Sequence, residues 1–576
     1  MSGPRRPFAG QASTDRFTMD VLREGFAAIS DEMFVSLQRT SQSPIIYEVL
    51  DFGVGITDAS GELVAQGNGV AGFLGPLGDA VREVLARGMD LRPGDVIAAN
   101  DPYAGGGTHL SDVALIRPVF AEGQHLVGFA VAKGHWTEVG GKDPGSWTAD
   151  SRDVYAEGLQ LPFVYAYRAG RPLPDFRAIL AANSRLPEMV VGDLTAQAAC
   201  LEVAERRLLE MCARHGAVTV REAMRAAGDR SERLCRDALA RIPHGVFTAE
   251  DFTDTDGLGN GPFPVRVSVE IGADRVRCDF TGSHGQVPGP INCTWSGLVS
   301  GVRTVFKAIT DPAEPATDGW FRPLEIICPP GSIFNALRPA PVAAYFEATE
   351  MASDLVWHAL APAFGDQLPA GTFVSVCSTS LALTHPDTGE PALLVEPQPG
   401  GWGARSDADG QHGLVSVGDG ETYVIPAEIA EQRYGVLVQR FGFDIVPGAG
   451  AGRRRGGRGL VREYLICCDE ALLTVAWGRH LYPPWGAAGG KPGSVNYVEV
   501  LRDGRPLGPR FGKASRLPLR RGDVVRLVTG SGGGYGEPRE REPSLVLADL
   551  RDGLVTPAEA AQHYAHEPPA GFVEQK

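Results

Sequence analysis

The hydrophobic period of this 576-residue chain changes near residue 245, and that change limits its fold more than any other feature. Before it, apolar residues recur at helical steps. Leu22, Phe26, Ile29, Met33 and Leu37 trace one helix face, and Leu201, Ala204, Leu208 and Met211 trace another within residues 192–214. Short apolar runs between these helices predict strands at 51–56, 96–99, 113–120 and 126–132, with Asp58–Gly61 as a turn leading into 62–66. Beyond Pro243-His244-Gly245 two-residue alternation takes over at 265–271 and 276–280, glycine and proline become frequent, and one helix is expected around 347–360. This pattern predicts a mixed α/β (α+β) multidomain chain with a β-rich second half. Residues 1–245 are expected to form an α/β domain, 246–540 a β-rich mixed region with glycine-rich loops, and 541–576 a helical tail. In that tail Thr556, Pro557 and Glu559 spell a capped helix start.

Charge narrows the partners. Lys and Arg total 54 against 70 Asp and Glu, a formal charge of −16. Nucleic-acid binding runs on clustered cations, so nucleic acid is not expected as the main partner. No run of about 18 apolar residues exists, so no membrane span is expected. Arg5 and Arg6 are followed by no apolar segment, so no secretory signal is expected either. The nine cysteines are odd in number and form no C-x-x-C pair, which fits reduced thiols in a cytoplasmic protein; Cys467-Cys468 is expected to pack in a core.

Chemistry-bearing residues are densest between 100 and 141. Thr108-His109-Leu110-Ser111-Asp112 follows three glycines, Gly105 to Gly107, and His135-Trp136-Thr137-Glu138 precedes Gly140-Gly141. If 113–120 and 126–132 are the arms of a hairpin, His135 returns beside His109 and Asp112. Asp51 stands at the start of an earlier strand, away from its apolar face. Two imidazoles and two carboxylates suit zinc, manganese or ferrous iron. On the residues alone another account stays open: hydrogen-bonded structural histidines, Asp112 as a turn residue and Asp51 as a turn cap.

Phosphate-binding signatures are missing. The nearest approach to a P-loop, Gly508 to Ala514, has one spacer too few and Ala514 where Ser or Thr is needed. The patch at 448–459 lacks the strand–glycine–helix context of a dinucleotide site, and no G-x-S-x-G elbow occurs.

A long ordered set of motifs resembles the hydantoinase B/oxoprolinase family. It comprises Asp51-Phe52, the 100–112 run, His135 with Val139-Gly140-Gly141, Glu157-Gly158, Asn183-Ser184-Arg185, Gly192-Asp193 with Gln197, Asp279-Phe280 with Gly282, Pro290-Ile291-Asn292, Pro329 to Ser332, Arg455 to Gly459 and Gly532 to Gly536. The resemblance implies a mixed α/β fold and one divalent ion (zinc, manganese or iron) on Asp51, His109, Asp112 and His135. It implies a hetero-oligomer with a hydantoinase A-type subunit that carries ATP and magnesium. The implied reaction opens a phosphorylated cyclic amide: a hydantoin, 5-oxoproline or a lactam. Glu138 and Glu157 are then candidates for moving the proton, Glu138 alternatively for holding a ligand histidine. Two other readings are kept. One is a ketone carboxylase of the acetone or acetophenone type. The other is a non-catalytic subunit with a structural metal.

The chain departs from the family pattern twice. Phe73-Leu74-Gly75 stands where the family has His-Leu-Gly, and Pro447 to Gly450 where it has Asp-Ser-Gly-Gly. If position 73 faces substrate, an apolar or aromatic substituent is expected on the ring; otherwise Phe73 packs beneath Leu74 and Leu77.

Overall fold

The computed structural model describes residues 15–122, 125–443 and 448–566. The residues read for a secretory signal, Pro447 and the end of the tail lie outside these. Helix α1, Arg16–Thr40, starts at Asp15, whose side chain accepts from Thr18 N–H, and it buries the predicted stripe from Leu22 to Leu37. Helix α2, Pro187–His215, begins five residues earlier than the periodicity suggests, because Pro187 is preset for a first helical turn. Gly216, at φ 85°, ends it, and α3 follows at Ala217–Leu239. The buried stripe of α3 is largely small residues such as Ala223, Ala227 and Ser231, a weak apolar signal that the sequence reading passes over.

A seven-stranded antiparallel sheet carries the first half. Its strands are β1 Phe52–Asp58, β2 Leu63–Gln66, β3 Val96–Ala99, β4 Asp112–Ala121, β5 His125–His135, β6 Val164–Arg168 and β7 Arg171–Pro172, in the order β2-β1-β5-β4-β3-β6-β7. One face, with Phe52, Val54, Val113, Leu115 and Ala132, meets α1 and α2. The other, with Ile97, Ala114, Ile116 and Val131, is covered by helix Leu77–Ala86. The β4–β5 hairpin is longer than the apolar arms predict. Asp112 and His135 are themselves paired strand residues, directly opposite each other.

At residue 245 strand Gly245–Thr253 opens the first of three further sheets, of four, four and five strands. The change of period marks a change of sheet and not a break in packing, since one apolar cluster runs from Leu22 to Leu527. Among the described residues two helices of fifteen or more residues cross this region. The predicted one is α5, Phe346–Leu360; the other, α4 at Trp295–Thr310, carries glycines that lower its helical signal. Those glycines serve packing: a Cβ on Gly301 would lie 2.7 Å from Thr349 O of α5. The two glycine-rich patches pack backbone on backbone, and a Cβ on Gly456 would lie 2.0 Å from Gly532 O. In the tail Thr556 and Glu559 form the capping box, and Val546, Leu550 and Tyr564 pack on Ala451. The nine cysteines are free, eight of them buried, Cys468 included. Among the described residues no helix is long and apolar enough to cross a membrane.

Candidate metal centre

The hairpin register builds the site. Because Asp112 and His135 are cross-strand partners, their side chains leave the same face of the sheet. Asp51 joins them through the neighbouring strand, its carbonyl accepting from His135 N–H at 3.0 Å. His109 sits on the turn into β4, where Asp112 N–H donates to its carbonyl at 3.3 Å. The result is a tight group. His109 Nε2 is 2.9 Å from Asp112 Oδ1, and His135 Nδ1 is 3.2 Å from each of those atoms. Asp51 Oδ2 stands further out, 3.9 Å from His135 Nδ1. His109, Asp112 and His135 are all buried.

These contacts fit a cation. His109 Nδ1 lies 3.1 Å from Ala343 O, which only accepts, so Nδ1 carries the hydrogen and Nε2 presents a lone pair. That lone pair faces the Asp112 carboxylate at 2.9 Å. Two acceptors so close repel unless a proton or cation lies between them. Burial opposes ionisation of Asp112, and positive charge on the His109 side holds its carboxyl well below the usual range, so the ionised carboxylate rests on a proton at His109 Nε2 or on a cation in that proton's place. Thr108 Oγ1 donates to its other oxygen, Oδ2. Asp51 is pushed well up, first by burial and then by Asp112 and Asp419, a build-up of negative charge that a cation relieves. Burial lowers His135, keeping its imidazole neutral as a ligand requires.

All four candidate ligands line one small cavity of about 30 Å³, together with Phe73, Trp147, Tyr345, Glu350 and Asp419. It has room for an ion or a water. Phe73 is 2 % exposed and is part of this wall.

The two glutamates singled out from sequence lie elsewhere. Glu138 accepts from Gly140 N–H (2.6 Å), Gly145 N–H (2.9 Å) and Arg185 (3.1 Å), and it ties a loop together. Glu157 accepts from Ser151 Oγ at 2.6 Å and from Val342 and Ala343 N–H at 2.9 and 3.0 Å. Neither is among the residues that line the cavity. The second role considered for Glu138 falls to Glu157 in its place: it fixes Ala343, whose carbonyl orients His109. The sequence reading misses Tyr345, Glu350 and Asp419. They come from the N-cap of α5, from α5 itself and from the loop at 413–420, and no local spacing connects them to the hairpin.

A model of the family described as hydantoinase B/oxoprolinase matches residues 15–538. The chain belongs to this family. Among its relatives, the B subunit of a putative D-/L-hydantoinase from Pseudomonas sp. is 32 % identical over 96 % of this chain and 95 % of its own length. The beta subunit of the caprolactamase of Pseudomonas jessenii is 30 % identical over 94 % of each chain. The crystal structure of ATP-dependent caprolactamase from that organism matches with a TM-score of 0.89 at 28 % identity, covering 98 % of both chains. A nucleotide-free acetone carboxylase matches with a TM-score of 0.88 at 17 % identity, covering 96 % of this chain and 79 % of its own, a likeness of fold alone. The hydantoinase B/oxoprolinase fold thus accounts for the helices and mixed sheets described above.

Proposed function

We propose that this chain is the metal-binding hydrolytic subunit of an ATP-dependent enzyme that opens a cyclic amide: a hydantoin, 5-oxoproline or a lactam. One observation carries the proposal: His109 Nε2 and Asp112 Oδ1 lie 2.9 Å apart, with His135 Nδ1 at 3.2 Å from both, all three residues buried. Asp51, His109, Asp112 and His135 hold one zinc, manganese or iron ion in this reading. Such an ion supplies Lewis acidity toward water and toward a carbonyl oxygen. Two carboxylates and two neutral imidazoles balance its charge without a surplus, which suits a buried position.

The residues around the ligands do the rest. Glu157 and Ala343 keep His109 in the tautomer that leaves Nε2 free. Thr108 holds Asp112 from behind. Phe73, Trp147 and Tyr345 close the cavity with apolar surface and keep bulk water out.

An A-type partner carries ATP and magnesium in this reading. Its support is the missing P-loop here and the names of the relatives, one a B subunit and the other a beta subunit of its enzyme. The acetone carboxylase likeness concerns fold alone and does not favour carboxylation.

The test is metal content together with turnover. Purified chain is expected to hold about one divalent ion, and His109→Ala with His135→Ala to lose most of it. Chelation is expected to abolish turnover by the reconstituted complex while assembly persists. A double variant with a full metal complement removes the ligand assignment, and a stripped complex that still turns over leaves only a structural metal.

A further inference from the structure

With Glu138 and Glu157 both tied to loops, the proton chemistry of the site needs another owner. Two carboxylates beyond the four candidate ligands line the cavity, Glu350 and Asp419. Glu350 lies on α5 and is 3 % exposed. Its Oε1 accepts from Ser416 Oγ at 3.0 Å and from Gly418 N–H at 2.7 Å. The loop is shaped to it, for a Cβ on Gly418 would lie 2.3 Å from Oε1. With both of these bonds on Oε1, Oε2 is left to carry a proton. Asp419 follows directly on the loop, and its Oδ2 is buried without a hydrogen-bond partner among the described residues.

Charge around Glu350 favours the neutral acid. Asp419 approaches from the loop and Glu347 from the same helix; Asp51 and Asp112 also line the cavity, but in the metal-bound reading the ion offsets their charge. The nearby cation, Lys513, stands 3.9 Å from Glu347. His109 and His135 face Asp112, and Tyr345, also in the wall, is held neutral by burial. Burial and then Asp419 push Glu350 up to about 8, and burial pushes Asp419 up to about 7.

Resting on the amide-opening reading above, we propose that Glu350 is a catalytic residue: the general acid that protonates the departing ring nitrogen, with Asp419 taking the proton of the attacking water. The bonds balance. The activated carbon carries the phosphorylated oxygen and a C=N bond. A water O–H breaks, its proton goes to Asp419, its oxygen bonds that carbon, and the C=N π pair moves to nitrogen, which takes the proton of Glu350. Asp419 then passes its proton to Glu350. The C–N bond breaks with its electron pair on nitrogen, which takes this second proton, while the new hydroxyl gives its proton to Asp419 and its O–H pair forms the carbonyl of an acyl phosphate. A second water releases phosphate from that acyl phosphate, and no oxidant or reductant is consumed.

Two measurements test this. Infrared difference spectra of the isolated manganese-loaded chain, wild type minus Glu350→Gln, are expected to show a protonated carboxyl band at neutral pH. Asp419→Asn is expected to shift the midpoint of that band to lower pH, because one neighbouring charge is removed. In the reconstituted complex Glu350→Gln is expected to cost roughly 100-fold or more in kcat on an unsubstituted lactam. The loss is expected to be several-fold smaller on a hydantoin, whose departing nitrogen is stabilised by a second carbonyl and needs less proton donation. Glutamine keeps the acceptor of Ser416 and Gly418, so metal content and Tm are expected to hold, with Glu350→Asp as a second variant. An ionised Glu350 at neutral pH, equal losses on both rings, or loss of the metal in Glu350→Gln would each overturn the assignment. If the wild-type complex is inert toward both rings, the amide-opening reading falls and takes the leaving-nitrogen step with it.

Discussion

Phe73 joins Trp147, Tyr345, Phe346 and Val376 in bringing apolar surface to a cavity that also holds two imidazoles and several carboxylates. It is 2 % exposed, yet it belongs to the wall of the site, so the two fates expected for it from sequence are not exclusive. A phenyl ring neither donates nor carries charge; it excludes water and favours contact with apolar matter. A cyclic amide with an apolar or aromatic substituent is therefore expected to be preferred over bare 5-oxoproline. Phe73→His puts a titratable donor beside Asp51 and is expected to cut that preference by roughly tenfold, the scale of one lost apolar contact in a binding pocket. Turnover of paired substrates by wild-type and variant complexes measures it. If the ratio is unmoved and only Tm drops, Phe73 is packing alone.

At the scale of elements, the site is a hairpin held from behind by a loop. Glu157 accepts from Val342 and Ala343 N–H, and Ala343 O in turn orients His109. Glu157→Ala removes the acceptor, frees the loop and lets His109 change tautomer. Metal affinity is expected to fall on the order of 10- to 100-fold without loss of any ligand. Titration with a competing chelator reads this, and unchanged affinity would show that the loop holds its place alone. The hairpin was legible in the sequence because its ligands lie at the ends of two alternating arms, so that forming the turn brings them together. Helices α1 and α2 were legible because their apolar stripes repeat at helical steps. Tyr345, Glu350 and Asp419 were not, since they reach the cavity from elements more than 200 residues along the chain from the hairpin. Only the tertiary packing of α5 and the 413–420 loop creates those neighbours. The hydrogen bonds of Glu157 were not legible for the same reason: its partners come from the loop at 342–343.

For the molecule as a whole, buried carboxylates tie stability to pH. Burial pushes Glu157 up to about 7, Glu350 up to about 8 and Asp419 up to about 7, and it raises Asp51 as well. An unfolded chain releases these protons near pH 4 to 4.5. Between there and about pH 8 the folded metal-free chain binds more protons than the unfolded one, so its stability falls as pH rises. Asp112 has the opposite sign. Its pKa is depressed, so its contribution is present above the ordinary carboxylate range and is lost on acidification below it. A bound divalent ion adds a second dependence. It requires Asp51 as a carboxylate, so binding expels a proton and strengthens as pH rises. The metal-free chain is therefore expected to lose several degrees of Tm between about pH 5 and pH 8. The gap between metal-loaded and metal-free Tm is expected to widen over the same interval. Calorimetry on both forms at fixed metal concentration measures the gap. A gap that stays constant with pH would mean that Asp51 keeps its proton when the ion binds, and would remove it from the ligand set while leaving His109, Asp112 and His135 in place.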